Sequence, residues 1–221
     1  QTIKKACEAN HFGVLSQGNA YVKWWRDQEY YSQSGWKGTK ALDGGGALMN
    51  QSIHAVDLLL WFVGPIRSLS AYVSTVGHRK IEVEDNASAA IEFENGALGA
   101  IQGTTAAWPG FLKRLEILGT NGSAIMDEDT LSFWKFKEES AEDEEICRIF
   151  SKPASTSGGA ADPTAISYLG HKRQIIDVID SIQKRRKPLV DGIEATKAVA
   201  CIEAIYRSAE LDGAPQNPAK L

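Results

Sequence analysis

Three side chains able to handle a proton and a hydroxyl fall in one segment, Gly44-Gly45-Gly46-Ala47-Leu48-Met49-Asn50-Gln51-Ser52-Ile53-His54-Ala55-Val56-Asp57. At about 100° per residue, Asn50, His54, Asp57 and Trp61 share a narrow stripe of one helix face. Met49, Ile53, Val56, Leu60 and Val63 lie beside that stripe and can turn to a core. Buried polar groups need partners, and packing alone explains three of them on an apolar helix poorly. Histidine gives and takes protons near neutrality. A lone histidine on such a helix is usually structural. Here Asn50 precedes it by one turn and Asp57 follows by one, so His54 is the candidate catalytic residue. Asn50 would hold a substrate hydroxyl without charge, and Asp57 would orient the imidazole from its far side. The glycine triplet permits close approach of backbone to a ligand, or forms a flexible turn. It is no phosphate-binding fingerprint, because no G-x-G-x-x-G follows a strand anywhere in the chain.

Softer candidates flank this segment. Tyr21-Val22-Lys23-Trp24-Trp25 ends a strand, where Lys23 and Trp24 suit a sugar ring and its hydroxyls, or simply an anchored amphipathic strand. Gly35-Trp36-Lys37-Gly38 feeds the glycine triplet, placing Trp36 near substrate and Lys37 where a phosphate or carboxylate could meet it. Trp108-Pro109-Gly110-Phe111 interrupts the strands as a pocket wall, with Phe111 toward substrate, or as core. Lys184-Arg185-Arg186-Lys187 reads as a solvated helix C-terminus. The four histidines (His11, His54, His78, His171) are widely spaced with no H-x-x-x-H pair, so no metal site is expected.

The elements that must position these residues change periodicity along the chain. Thr2 to Ala9 has a helical pattern, Val14 to Trp24 that of a strand, and Asp27 to Asp43 that of a loop. Ala47 to Phe62 forms a helix closed by Gly64-Pro65. Strands follow over Ser68 to Val76, Asn86 to Phe93, Ala97 to Thr105, Leu112 to Leu118, Ser123 to Met126 and Leu131 to Lys137. Asn95-Gly96 and Asn121-Gly122 are hairpin turns, and strands joined by hairpins run antiparallel. Ala87, Ala89, Ile91 and Phe93 form the covered face. Ser88, Ala90, Gly99, Ile101, Gly103 and Thr105 form a small-residue outer face suited to a second copy of the chain. Glu138 to Glu145 is expected to be a solvated hairpin or loop, and Ser151 to Ala161 disordered. Two helices, Pro163 to Arg185 and Glu194 to Leu211, finish the chain and help cover the sheet. The fold class is therefore α+β, an open, mostly antiparallel sheet with helices on one face.

Composition narrows the function classes. A net charge of −4 argues against a nucleic-acid surface. The longest apolar run, Leu58 to Val63, is too short to span a membrane. Cys7, Cys147 and Cys201 form no C-x-x-C pair, which suggests ordinary thiols in a reducing, cytoplasmic compartment. The opening Gln1-Thr2-Ile3-Lys4-Lys5 lacks an initiator Met and a signal pattern, and reads as a sequence entered in the middle.

Trp36-Lys37-Gly38 and the run from Leu42 through His54 to Leu59 resemble the C-terminal domain of the glucose–fructose oxidoreductase, inositol dehydrogenase and rhizopine catabolism (Gfo/Idh/MocA) family. Ile81-Glu82-Val83-Glu84-Asp85, Leu115 to Ser123, and Pro188 to Gly192 onward to Tyr206-Arg207-Ser208-Ala209 support the resemblance in the family's order. It implies a two-part enzyme in which a Rossmann domain binds NAD or NADP and this α+β domain supplies the substrate site. Residues 1–12 would then be the tail of a Rossmann-side helix, and residues 13–221 the substrate-binding and oligomerisation domain. The implied reaction is hydride transfer between nicotinamide and a sugar, sugar derivative or cyclitol hydroxyl, with His54 handling the proton and Lys37 near the cofactor. In the family the position four before the histidine is often Asp; Asn50 stands here and cannot accept a proton, so it is cast as a substrate hydrogen-bonder. The implied partners are a sugar or polyol, the chain's own Rossmann half and further copies of itself. The fingerprint and the catalytic lysine motif of that half are missing, so this chain alone is expected to be inactive. A silent ligand-binding module, and an offshoot using NAD in glycoside cleavage, are the alternative readings.

Overall fold

A computed structural model of the protein describes residues 1–150 and 168–220. The expected disorder of Ser151 to Ala161 lies outside the described residues. Seven strands form one sheet: β1 (Leu15–Lys23), β2 (Ile66–Ser74), β3 (Asn86–Phe93), β4 (Leu98–Thr104), β5 (Arg114–Gly119), β6 (Gly122–Asp127) and β7 (Thr130–Phe136). Their order is β2-β3-β4-β1-β5-β6-β7. Tight turns dictate most of this. Asn95 Oδ1 accepts the Ala97 N–H at 3.0 Å and Gly96 takes φ 86°, so β3 folds back on β4. Antiparallel pairs likewise join β2 to β3, β5 to β6 and β6 to β7. A long excursion follows β1, so the chain re-enters the sheet at its far edge. The meander back then lays β4 parallel to β1, while β5 pairs antiparallel on β1's other side. The architecture is the expected α+β fold.

The helices are α1 (Thr2–Glu8), α2 (Gln28–Ser32), α3 (Lys40–Asp43), a π-helix (Ala47–Ser52), α4 (Ile53–Val63), α5 (Ala141–Phe150), α6 (Leu169–Lys184) and α7 (Gly192–Glu210). α4 buries Ala55, Val56, Leu59, Phe62 and Val63, spaced at three and four residues. These side chains lie over β1, where Gly18 leaves the room that Leu59 and Val63 occupy. α7 lies along β2, and the Ser208 hydroxyl accepts the Ala71 N–H at 2.9 Å. The core runs from Phe93 and Ile91 through Ala20, Val22, Ile101 and Leu115 to Ile117 and Trp134.

Several sequence expectations change. Residues 27–43 carry two short helices, α2 and α3, rather than only loop. The expected helix from Ala47 opens as a π-turn. The stretch Glu138 to Glu145 is no solvated loop: α5 starts at Ala141, and Asp143 is buried. Its carboxylate accepts from Ser140 N, Ser140 Oγ and Trp134 Nε1, with His11 Nε2 at 3.2 Å, and these contacts hold it down at a pKa of about 2 despite burial. On β4 the alternation is one residue out of step with the expected outer face. Ile101 and Gly103 point to the helices and are buried, Thr105 is buried beyond the strand, and Leu98, Ala100, Gln102 and Thr104 point outward. The reason is the pairing of Ile101 with Ala89 and of Gly103 with Ala87, which puts those residues on the face α4 and α7 cover. Of the two C-terminal helices only α7 covers the sheet; α6 leaves Ile175, Ile176, Ile179 and Ile182 exposed. Arg186 in the basic run is not simply solvated, because it pairs with Asp177 and Asp180 at 2.6 and 2.8 Å.

The π-turn is held by a buried carboxylate. Glu84, 6% exposed, accepts Gly46 N–H at 2.9 Å, Leu48 N–H at 2.8 Å and the Tyr206 hydroxyl at 3.1 Å, and its backbone oxygen accepts Ala47 N–H. Four donors around the helix start are thus paired within the protein. A Cβ on Gly46 would stand 1.7 Å from the Glu84 carbonyl oxygen, and one on Gly45 2.4 Å from the Tyr206 hydroxyl. Those two glycines therefore serve internal packing, not approach to a ligand. Burial raises the Glu84 carboxyl above its ordinary 4.5, and the hydrogen bonds only partly offset this. By linkage, its contribution to stability is greatest at low pH and declines as the pH rises through the raised value.

Glu84→Gln puts an amide donor against a backbone donor and is expected to cost roughly 1.5–3 kcal/mol, the range for hydrogen bonds to a charged group. For a chain of this length that lowers Tm by about 3–12 °C. Gly46→Ala should be more severe, and a Gly46→Ala protein melting with the wild type would show that the π-turn does not depend on this contact.

Candidate active site

His54 sits in the first turn of α4, directly after the π-turn. The residue reaches the surface while neighbouring groups enclose part of it, and its ring makes no hydrogen bond among the described residues. The surrounding protein still lowers its pKa below 6.5: burial contributes most, then the charges of Lys113 and His171, with Asp57 opposing. The imidazole is therefore neutral at pH 7 and ready to accept a proton. Asp57, half-buried, is raised above 3.8 by burial and by Glu194. It acts on His54 through space and forms no hydrogen bond to the ring, so the expected orienting contact is not made.

Asn50 shares the exposed rim with His54, but its amide is committed. Nδ2 donates to Asp43 Oδ1 at 2.7 Å and to the Gly45 carbonyl at 3.1 Å. Its Oδ1 is the atom left for a ligand. Beside it, Gln51 is buried and donates through Nε2 to the Tyr30 hydroxyl at 3.2 Å. The ammonium of Lys37 lies 3.8 Å from the centre of the Tyr30 ring and 5.8 Å from that of Trp36, with no carboxylate partner among the described residues. Trp36 is exposed. Trp24 is buried, with Arg26 against its ring at 5.2 Å, so its face is not open as a stacking platform.

A second buried pair fixes the loop that brings Tyr30 here. Asp85 accepts the N–H groups of Val76, Gly77 and His78, and His78 Nδ1 lies 2.9 Å from its Oδ2. His78 Nε2 reaches the Arg26 carbonyl at 2.9 Å, and Tyr31 bonds Thr105 while its ring meets His78. Both ring nitrogens of His78 face oxygen acceptors, so the ring is a structural clamp. Sequence reasoning singled out neither Tyr30, Gln51 nor Lys113. The one local signal is Gln51 next to Asn50, and a regular helical period conceals it because the segment is a π-turn.

Lys23 and Phe111 lie elsewhere. With Tyr21, Leu112, Arg114, Glu116 and Asp127 they line a groove of about 540 Å³ on the outer face of the sheet, away from α4. Lys23 sits 4.9 Å from the Tyr21 ring centre, and Arg114 pairs with Asp127 through two bonds. The alternation of β1 turns Val22 inward and Lys23 outward, so Lys23 cannot share the wall of His54. Trp108 and Phe111 are exposed, which removes their reading as core. Among the described residues no group of three His, Cys, Asp or Glu side chains is placed to hold a metal ion. Among the described residues no helix is long and apolar enough to cross a membrane.

Residues 1–125 match the model of the GFO/IDH/MocA C-terminal domain. A levoglucosan dehydrogenase of Pseudarthrobacter phenanthrenivorans is 25% identical over 205 residues, which is 80% of this chain and 52% of that protein. Among solved structures, the WlbA dehydrogenase from Bordetella pertussis, in complex with NADH and UDP-GlcNAcA, superposes with a TM-score of 0.82 at 35% identity. It is matched over 97% of this chain and 60% of its own. The levoglucosan dehydrogenase complex with NADH and levoglucosan superposes at 0.76 with 21% identity, over 97% of this chain and 61% of its own. This chain thus spans little more than half the length of these relatives.

The electrostatics around the imidazole are testable by NMR titration. His54 is expected to titrate below 6.5, and Asp57→Asn should lower the midpoint further by removing the contribution that raises it. Lys113→Met should raise it. An unshifted midpoint in both variants would separate His54 from these neighbours.

Proposed function

The chain belongs to the GFO/IDH/MocA family, and from that premise we propose that it is the substrate-side portion of an NAD(P)-dependent oxidoreductase acting on a sugar-type hydroxyl. One observation carries the reading: an exposed histidine, its pKa lowered, that makes no hydrogen bond among the described residues and is set at the start of a helix whose position a buried carboxylate fixes. In the oxidation direction the substrate C–H leaves as hydride and the hydroxyl proton passes to an imidazole nitrogen of His54. In reduction the imidazolium returns that proton. Asn50 Oδ1 accepts from a neighbouring hydroxyl and cannot act as a base. The nicotinamide, when bound, supplies the hydride acceptor. The chain has no phosphate-cradling glycine loop, so its fit to a dinucleotide is restricted to the rim, where the ammonium of Lys37 suits a phosphate. The NADH complexes of WlbA and of levoglucosan dehydrogenase, with UDP-GlcNAcA and levoglucosan, support a sugar substrate.

Two surfaces suit the partners of such an enzyme. The apolar row of α6, Ile175, Ile176, Ile179 and Ile182, is assigned to the dinucleotide-binding half. The outer face of the sheet, with Ser88, Ala90 and exposed Leu98 and Phe133, is assigned to a second copy of the chain. This differs from the small-residue face expected from sequence, because Gly99, Ile101 and Gly103 point inward.

The chain by itself is expected to give no calorimetric signal with NAD or NADP. In the two-domain parent, His54→Ala should lower kcat by ~10²–10⁴-fold with cofactor affinity retained, and near-normal turnover would remove His54 from the chemistry. Sedimentation should return a mass twice 24.1 kDa, with an interface burying at least about 1,000 Å²; a monomer at micromolar concentration would leave the outer face solvated.

A further inference from the structure

Resting on the sugar-enzyme reading, the geometry points to a recognition slot for one substrate hydroxyl between Gln51 and Trp24, separate from the hydroxyl that His54 serves. Gln51 is 7% exposed and Trp24 8%, so both are more than nine-tenths buried. Yet Gln51 Oε1 meets no donor and Trp24 Nε1 no acceptor among the described residues. Buried polar atoms left unpaired are costly and persist where something outside the chain completes them. The two sit around one cluster. Tyr30 bonds Gln51 at 3.2 Å, and the Arg26 guanidinium lies 5.2 Å from the Trp24 ring centre and 5.5 Å from that of Tyr30. Gln51 follows Asn50 directly and precedes His54 by three residues, so the cluster adjoins the candidate catalytic wall.

The demands of the two atoms identify the chemical class. Trp24 Nε1 only donates, so the ligand group must accept. Gln51 Oε1 only accepts, so the group must also donate. If the amide is turned over, Oε1 accepts from Tyr30 and the orphan becomes a donor, which a group with both capacities still satisfies. With the amide as placed, its Nε2 on the Tyr30 hydroxyl, a carboxylate or phosphate lacks the donor and an ammonium lacks the acceptor. A hydroxyl has both. The slot therefore takes a neutral hydroxyl, and it makes Gln51 and Trp24 specificity-determining residues, whereas anionic substituents fall to Lys37.

The test combines kinetics with stability. In the two-domain parent, followed by NADH absorbance with UDP-GlcNAcA and levoglucosan as probes, Gln51→Met and Trp24→Phe should each lower kcat/KM about 10–100-fold for the probe turned over. A monodeoxy analogue lacking the recognised hydroxyl should lose a similar factor on the wild type and almost nothing on Gln51→Met. Wild-type kcat/KM in both variants, or an analogue effect equal in wild type and variant, overturns the slot. If the wild type turns over neither probe, the sugar-enzyme reading has failed, and the slot is judged by melting this chain. Gln51→Met removes the orphan together with the Tyr30 bond, and losing that one bond, about 1 kcal/mol, lowers the Tm by no more than about 4 °C. A drop of more than about 4 °C, above the roughly 2–4 °C expected per kcal/mol for a chain this size, means that a resident water or the fold itself uses the atom, and the assignment fails.

Discussion

Burial of the Glu84 carboxylate at the start of the π-turn is the constraint on which the candidate site depends. A carboxylate out of water is unfavourable unless its lone pairs are used. Here two backbone N–H groups and the Tyr206 hydroxyl use them, tying the 75–85 segment, α7 and the helix start together. The same contact brings the Glu84 backbone so close to Gly46 that no side chain fits there. Charge satisfaction and steric room are one arrangement, and the positions of Asn50, Gln51 and His54 follow from it.

The sheet converts that local arrangement into a platform with two distinct faces. Gly18 lets α4 settle on β1, and the parallel pairing of β1 with β4 carries the end of β1 alongside Thr104 and Thr105. From there His78 and Asp85 clamp the backbone at Arg26 and lead Tyr30 back to Gln51. Adjacent carboxylates, Glu84 and Asp85, thus position opposite sides of the same rim. On the other face the groove around Lys23 and Arg114 contains as many carboxylates as cations, which makes it a poor anion site.

Much of this was legible in the residues. The hairpin turns, the alternation in β3 and the apolar spacing of α4 prescribe an antiparallel sheet with a helix on it. The glycine triplet followed by Asn50 and His54 marks the candidate site. The errors have specific causes. Across Ala47 to Ser52 an i to i+5 turn replaces the regular helical period, and the direction of Gln51 follows from that turn. On β4 the pairing with β3 turns Ile101 and Gly103 inward, and a shift of one residue exchanges the two faces of a strand. Asp143 looked like one charge in an acidic run, because the Trp134 and His11 that satisfy it are distant in sequence or on another element.

By itself, the sequence determined the strands of the sheet and the long helices, which side chain has the chemistry to move a proton, and the resemblance to the family. These depend on local preferences and on patterns carried along the chain. Only the tertiary structure decided that Lys23 and Phe111 leave the histidine's wall, that Asp57 acts on His54 through space, and that Gln51 and Trp24 are buried with one polar atom each unpaired among the described residues. Those outcomes depend on which distant groups meet in space, and hydrogen-bond satisfaction is a property of that meeting rather than of any one segment.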